Sequence, residues 1–196
     1  MIFTETKLKG AYIIELEKLE DERGFFARTF CQDEFRKHGL NPCIAQCNIS
    51  YNKKKDTLRG MHYQEKPYEE AKLISCIKGS IYDVIIDLRE DSETYCQWFA
   101  VQLSSPISQL SSLNSQPSSL SSHLSAFSSQ LYVPEGFAHG FQTLEDDTTV
   151  FYQMSEFYHP ECARGVRWDD PSFGIQWLLP VKIISKKDLS YEDLKK

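Results

Sequence analysis

The sequence contains no run of about 18 apolar residues, so no segment reads as a membrane span. It also lacks an excess of basic charge: Lys and Arg total 22 against 28 Asp and Glu, a formal net charge of −6. That balance argues against general affinity for nucleic acid or an anionic membrane, while leaving room for a local basic pocket. None of its six cysteines (Cys31, Cys43, Cys47, Cys76, Cys96, Cys162) forms a C-x-x-C pair. Cys43 and Cys47 lack two partners of matching spacing for a zinc site, so reduced, partly buried thiols are expected rather than disulfides or a metal centre. The opening stretch, MIFTETKLKGAYIIELEKL, carries charges throughout and no long apolar segment. It does not read as a signal peptide, and a cytoplasmic location is expected. Helical periodicity is scarce as well.

What is present suits one domain, or at most two small ones: 196 residues, 41% hydrophobic and 26% charged, enough to bury a substantial core. Strand-like runs dominate, mixing β-branched or aromatic residues with polar ones. They fall at 11–16, 25–30, 72–77, 81–88, 98–103, 131–133 and 148–154. Asp33 to His38 reads as one short helix ended by Gly39, and Tyr191 to Lys196 as a second. Many short strands at close spacing predict an all-β sandwich or barrel with a few short helices. One tract breaks the pattern. Ser104 to Gln130 holds 13 serines in 27 residues and no charged residue. It reads as a low-complexity insertion within one domain spanning 1–196, because strand-like sequence resumes on both sides.

Three clusters carry chemistry. Gln46, Asn48 and Ser50 alternate along one strand and so share a face. Thr57 to Gln64 follows, placing Arg59 and His62 within four residues, with Lys72 ten residues later. Arg and His at one site suit an anionic ligand and a proton transfer, although a solvated strand edge with a satisfied histidine fits the same residues. In the second cluster, Pro134 to Phe141, Gly136 and Gly140 flank His139 and let the backbone turn it towards a ligand. The third is aromatic, with Tyr152 and Tyr158; a core ring with a surface hydroxyl is the commoner use of such tyrosines.

Several motifs in fixed order then identify a resemblance: Asp21-Glu22-Arg23-Gly24-Phe25-Phe26, Leu58 to Gln64, Gly79 to Val84, Pro134 to Phe141, Asp169-Asp170-Pro171, Gly174 to Trp177, and Ser185-x-Lys187-Asp188. Together they resemble the dTDP-4-dehydrorhamnose 3,5-epimerase family over about residues 1–104 and 131–196. The resemblance implies a cupin-type jelly-roll β-barrel and a homodimer with exchanged N-terminal strands. It also implies a cofactor-free epimerase acting on a nucleotide-linked 4-keto-6-deoxy sugar in deoxysugar or surface polysaccharide synthesis. By resemblance His62 is the base and Asp188 its orienting carboxylate, with Asp83 a rival for that role. Tyr152 is the acid on the opposite face, and Lys72 the cation beside the C4 oxygen. Arg59, Lys187 and Arg23 match diphosphate or nucleotide contacts, Arg23 from the partner subunit. Gln46, Asn48 and His139 match groups lining the sugar and phosphate site, and Tyr158 an aromatic stacked on the base. Two positions depart from the pattern: Arg28 stands at a nucleotide-contacting position where many members carry Glu, and Ala163 where an acidic residue is common. Both bear on which nucleotide or sugar fits.

Alternatives follow from the same residues. A metal-dependent cupin needs two or three histidines plus a carboxylate converging on the ion. His62 lacks a His-x-His partner, since Gly60 and Gln64 flank it at two residues, so no metal is expected. A non-catalytic barrel that binds a nucleotide sugar fits the fold but not the presence of both His62 and Tyr152. An epimerase acting at one carbon only, C3 or C5, uses the same base and acid.

Overall fold

Where β-branched and aromatic residues alternate with polar ones, the chain forms strands. The computed structural model describes residues 1–105, 125–127 and 129–194. In chain order the elements are β1 (Ile2–Glu5), β2 (Tyr12–Glu15), β3 (Lys18–Asp21), β4 (Gly24–Ala27), α1 (Gln32–Lys37), β5 (Gln46–Asn52), β6 (Leu58–Gln64), β7 (Lys72–Lys78) and β8 (Ser80–Asp87). There follow β9 (Trp98–Ser104), β10 (Ser125–Phe127), β11 (Ser129–Val133), β12 (Phe137–Thr143), β13 (Thr148–Met154), β14 (Ala163–Gly165) and α2 (Lys186–Leu189).

Among the described residues the strands make two six-stranded sheets and one hairpin. The first sheet runs β1-β2-β11-β7-β13-β5, the second β10-β9-β8-β12-β6-β14, and β3-β4 stands by itself. This is the all-β jelly-roll sandwich the resemblance implied. Ile13, Ile74, Leu131 and Val150 of the first sheet meet Ile81, Ile85, Val101, Leu103 and Phe141 of the second in one buried cluster. Full burial of each such side chain contributes about 1.5–3 kcal/mol, so this inner layer is what clamps the sheets together. Strand β8 is buried at every position, which explains its nearly unbroken apolar sequence. Its other face, with Tyr82, Val84 and Ile86, is covered by Val166, Phe173 and Trp177 from the C-terminal segment.

The second short helix falls earlier than the sequence reading placed it. It is α2, Lys186–Leu189, whereas residues 191–194 are irregular and 195–196 lie outside the described residues. The cause is a cap: Ser185 Oγ accepts a hydrogen bond from the Asp188 amide at 3.0 Å, starting the helix there. Most of the serine-rich tract, residues 106–124, also lies outside the described residues, and with it the reading of that segment as an insertion. All six cysteines are free thiols, Cys76 and Cys162 buried and Cys43 and Cys47 exposed.

Candidate active site

A cavity of about 780 Å³ opens between the two sheets, within the size range of small-molecule sites. Strand register decides what it contains. In the second sheet β6 and β12 pair His62 with His139, and Arg59 lies one turn of the pleat away. In the first sheet β13 sets Met154 against Lys72 of β7, and Tyr152 against Asn48 of β5. The inner faces therefore deliver His62, Arg59 and His139 from one side and Lys72, Tyr152, Asn48 and Gln46 from the other. Strands β6 and β12 approach so closely that a Cβ on Gly60 would lie 2.5 Å from Gly140 Cα, and Gly60 has φ +135°. Only glycine fits that crossing, which seats Arg59 and His62 beside His139.

Helix α2 closes the His62 side. Asp188 Oδ1 lies 2.7 Å from His62 Nε2, and its Oδ2 accepts from the Gly60 amide at 3.4 Å. Burial disfavours ionisation of Asp188. The hydrogen bond and charge of His62, with the Gly60 amide and Ser185 behind them, outweigh that effect and hold the carboxyl below the usual carboxylate range. The rival Asp83 is engaged elsewhere: its Oδ1 lies 2.5 Å from His139 Nε2, making a second, fully buried histidine–carboxylate pair. The imidazole of His62 is 44% exposed to the cavity, that of His139 only 6%.

Lys72 is buried at the mouth of β7. Its Nζ donates to the His62 carbonyl at 3.1 Å and forms an ion pair with Glu70 Oε1 at 3.0 Å. Tyr152 stands on the facing sheet, its ring edge-on to His139 with centroids 6.1 Å apart. Burial, and after it the negative charge of Asp83, push the Tyr152 phenol well above its ordinary value, against the opposing pull of Arg59 and Ser50. It is thus held protonated across the cavity from a histidine, with the cation of Lys72 reaching that histidine's carbonyl. That set suits removal of a proton from one face of a carbon acid and its return to the other.

Of the residues expected from the sequence to bind substrate, Gln46, Asn48, Arg59, His139, Tyr158 and Lys187 all line the cavity. Arg59 is steadied by Asn52, whose Oδ1 accepts from Nε at 2.7 Å, and Gln46 Oε1 accepts from the Tyr158 amide at 3.0 Å. Arg23 and Arg28 do not line it. Arg23 is 84% exposed on the β3–β4 hairpin and pairs with Asp21; Arg28 is 62% exposed and pairs with Glu34. Ala163, by contrast, lines the cavity.

Sequence reasoning missed two groups that line this cavity, Glu70 and Tyr191. Glu70 carried a readable signal, since it stands two residues before Lys72 on extended chain and so shares its side. Tyr191 had none. Its ring packs on Gly165, where a Cβ would sit 2.3 Å from it, and lies edge-on to His62 at 6.0 Å. Among the described residues no group of three or more His, Cys, Asp or Glu is arranged to hold a metal ion. Nor does any described helix have the length and apolarity to cross a membrane.

Comparison with known proteins points to one family. The family model for dTDP-4-dehydrorhamnose 3,5-epimerase matches residues 5–110 and 118–196. A relative of that name from Methanothermobacter thermautotrophicus is 40% identical over 197 residues, covering 98% of this chain and 94% of its own. The crystal structure of the Elizabethkingia anophelis enzyme of the same name superposes with a TM-score of 0.86 at 35% identity, over 98% of this chain and 96% of that one. The Bacillus anthracis enzyme, solved with TDP and PPi bound, gives a TM-score of 0.85 at 35% identity, over 98% and 99%.

Proposed function

The chain belongs to the dTDP-4-dehydrorhamnose 3,5-epimerase family, and from that premise we propose how its own residues carry out the reaction. The protein is an isomerase of deoxysugar biosynthesis, acting at C3 and/or C5 of a nucleotide-linked 4-keto-6-deoxy sugar. The ketone at C4 acidifies the hydrogens on both neighbouring carbons. His62 takes one of these protons, and the bonding pair moves into the C4 carbonyl to give an enolate. Asp188 fixes the imidazole and stabilises the imidazolium. Lys72 meets the charge that develops on the C4 oxygen, a preorganised contact worth several kcal/mol. Tyr152 then delivers its proton to the opposite face of the carbon, the enolate collapses to the ketone, and the configuration is inverted. Each proton transfer so placed contributes on the order of 10²–10⁴ in rate.

The observation that carries this reading is the placement of the His62–Asp188 pair and Tyr152 on opposing sheets of one cavity, with Lys72 reaching from the Tyr152 sheet to the His62 carbonyl. Arg59 and Lys187 supply the positive charge that a diphosphate needs, and Tyr158 an exposed ring for the base. We read the chain as one epimerase domain that works in the cytoplasm on a thymidine-linked sugar, as relatives solved with TDP suggest. We further read it as a homodimer. The hairpin β3–β4 pairs with neither sheet and exposes Leu19 and Phe26 at 70% and 72%, beside Arg23 and Arg28. Exchanged onto a second copy, it would bury that apolar surface and carry both arginines towards the partner's cavity.

The test is incubation with dTDP-4-keto-6-deoxyglucose in D2O, with a chelator present, followed by proton NMR and mass spectrometry. Two deuterons, at C3 and C5, are expected. One deuteron identifies a single-carbon epimerase, and none leaves a nucleotide-sugar-binding barrel.

A further inference from the structure

Lys72 and Glu70 form an ion pair inside the protein, with side chains 5% and 6% exposed. We propose that Glu70 is a positioning residue for the reaction: it keeps Lys72 cationic and aims its ammonium at the carbonyl oxygen of the bound sugar. The inference deepens the epimerase reading given above and rests on it for the identity of that oxygen.

An ammonium has three N–H donors. The His62 carbonyl takes one at 3.1 Å, and the Glu70 carboxylate stands against the same ammonium as an ion pair at 3.0 Å, beside the cavity that Lys72 and Glu70 both line. One fixed acceptor and one fixed counter-ion thus orient the ammonium beside the cavity. A carboxylate that served the fold alone would satisfy both oxygens. Glu70 Oε2 is buried without a hydrogen-bond partner, an arrangement that costs stability and is kept here beside the reacting groups.

The segment that holds Glu70 is itself tightly fixed. Gln64 donates to the carbonyls of Tyr68 and Phe157 at 2.9 and 3.1 Å, and the Ala71 amide donates to Ser155 Oγ at 2.8 Å.

The other ionisable groups around Lys72 are committed elsewhere. From β6, His62 is bonded to Asp188 and Arg59 to Asn52. From β12, His139 holds Asp83, and from β13 Tyr152 is kept protonated by burial. Lys187 of α2 faces the cavity as a further cation, and Arg164 of β14 pairs with Glu65. The strand neighbours of Lys72, Val133 and Met154, are uncharged. Among the described residues Glu70 is therefore the carboxylate within ion-pair reach of Lys72. Without it the ammonium is a buried charge lacking a counter-ion, and burial favours its neutral form.

The experiment is an NMR titration of the full chain, without substrate, following the lysine 13Cε and glutamate 13Cδ signals. In Glu70→Gln the Lys72 midpoint is expected to fall by about 1 pH unit or more, a tenfold loss of proton affinity, while Glu70→Asp stays within about half a unit of the wild type. From the other side, Lys72→Met should raise the Glu70 midpoint by a similar amount. Either pair of proteins suffices should a variant of the other fail to fold. Unchanged midpoints overturn the proposal, as does an equal shift in Glu70→Asp. In turnover, Glu70→Gln should lower kcat with KM nearly unchanged and move the alkaline limb to lower pH, which a merely structural role would not do. Because the titrations need no substrate, failure of the epimerase reading shows separately, as a wild type with intact coupling and no turnover.

Discussion

His62 Nε2 and Asp188 Oδ1 lie 2.7 Å apart although 126 residues separate them in the chain. The contact depends on a helix of only four residues, started by Ser185 and delivering its one buried side chain to the strand that carries His62. Everything asked of His62 passes through this pairing.

Replacing His62 by Ala is expected to abolish deuterium incorporation at both carbons, a fall on the order of 10³-fold. Asp188→Asn should retain the fold and lose on the order of 10² in rate. Exchange at more than a tenth of the wild-type rate in His62→Ala would remove it as the base; proton NMR in D2O measures both.

The same carboxylate leaves a trace in stability. Its folded value is lowered, so its contribution is complete above the unfolded value of about 4 and disappears as pH falls through the folded one. Urea unfolding of wild type and Asp188→Asn should therefore differ most above about pH 4 and converge in stronger acid.

Tyr152→Phe should still take up deuterium from solvent while inversion falls by about 10²-fold or more. Since burial raises its phenol, ionisation of Tyr152 should not limit the wild-type rate below about pH 10. Normal inversion by the Phe variant would assign the acid to another residue.

The β6–β12 crossing can be tested with a methyl group. Gly60→Ala forces a Cβ to within 2.5 Å of Gly140 Cα, and should cost about 2 kcal/mol or more together with most of the activity. Gly39→Ala is the control: φ there is also positive, +71°, but nothing lies within 4 Å of the added carbon. A cost no larger for Gly60→Ala in denaturant titration would show that the strands yield.

Replacing residues 106–124 by a flexible Gly-Ser linker of about a dozen residues, which the crossover between the parallel strands β9 and β10 requires, should leave kcat/KM within about twofold and change the thermal midpoint by only a few degrees, since lengthening or shortening a loop costs little. The replacement spares Ser105 because its amide and hydroxyl bond Gly79 and Ile77. A tenfold fall in activity would mean that the tract serves the site.

Legibility followed physical range. Strands such as β7, β8 and β13 show in the sequence because alternation against a buried face is a local property. The choice between Asp188 and Asp83 was not local, as each carboxylate found a different histidine through sheet register and a capped turn. The reading of 191–196 as a helix failed because polar composition there outweighed the Ser185-x-x-Asp188 cap just upstream. Arg23 matched a family position and Arg28 departed from one, yet a single chain leaves both in solvent. Tyr191 escaped notice since its value comes from the bare surface of Gly165, a complementarity written in two distant places.

Strand β7 begins at Lys72 and ends at Lys78, about 20 Å further on at the usual rise of a strand. The serine-rich stretch begins beside that far end, where the Ser105 amide meets the Gly79 carbonyl, and the described chain resumes at Ser125, paired with Gln102 of β9. If the linker replacement leaves turnover intact, chain length is free to drift there without touching the groups that line the cavity. A repetitive stretch of this kind can expand or contract over generations by small copying slips, and none of those steps has to pass through a damaged catalyst.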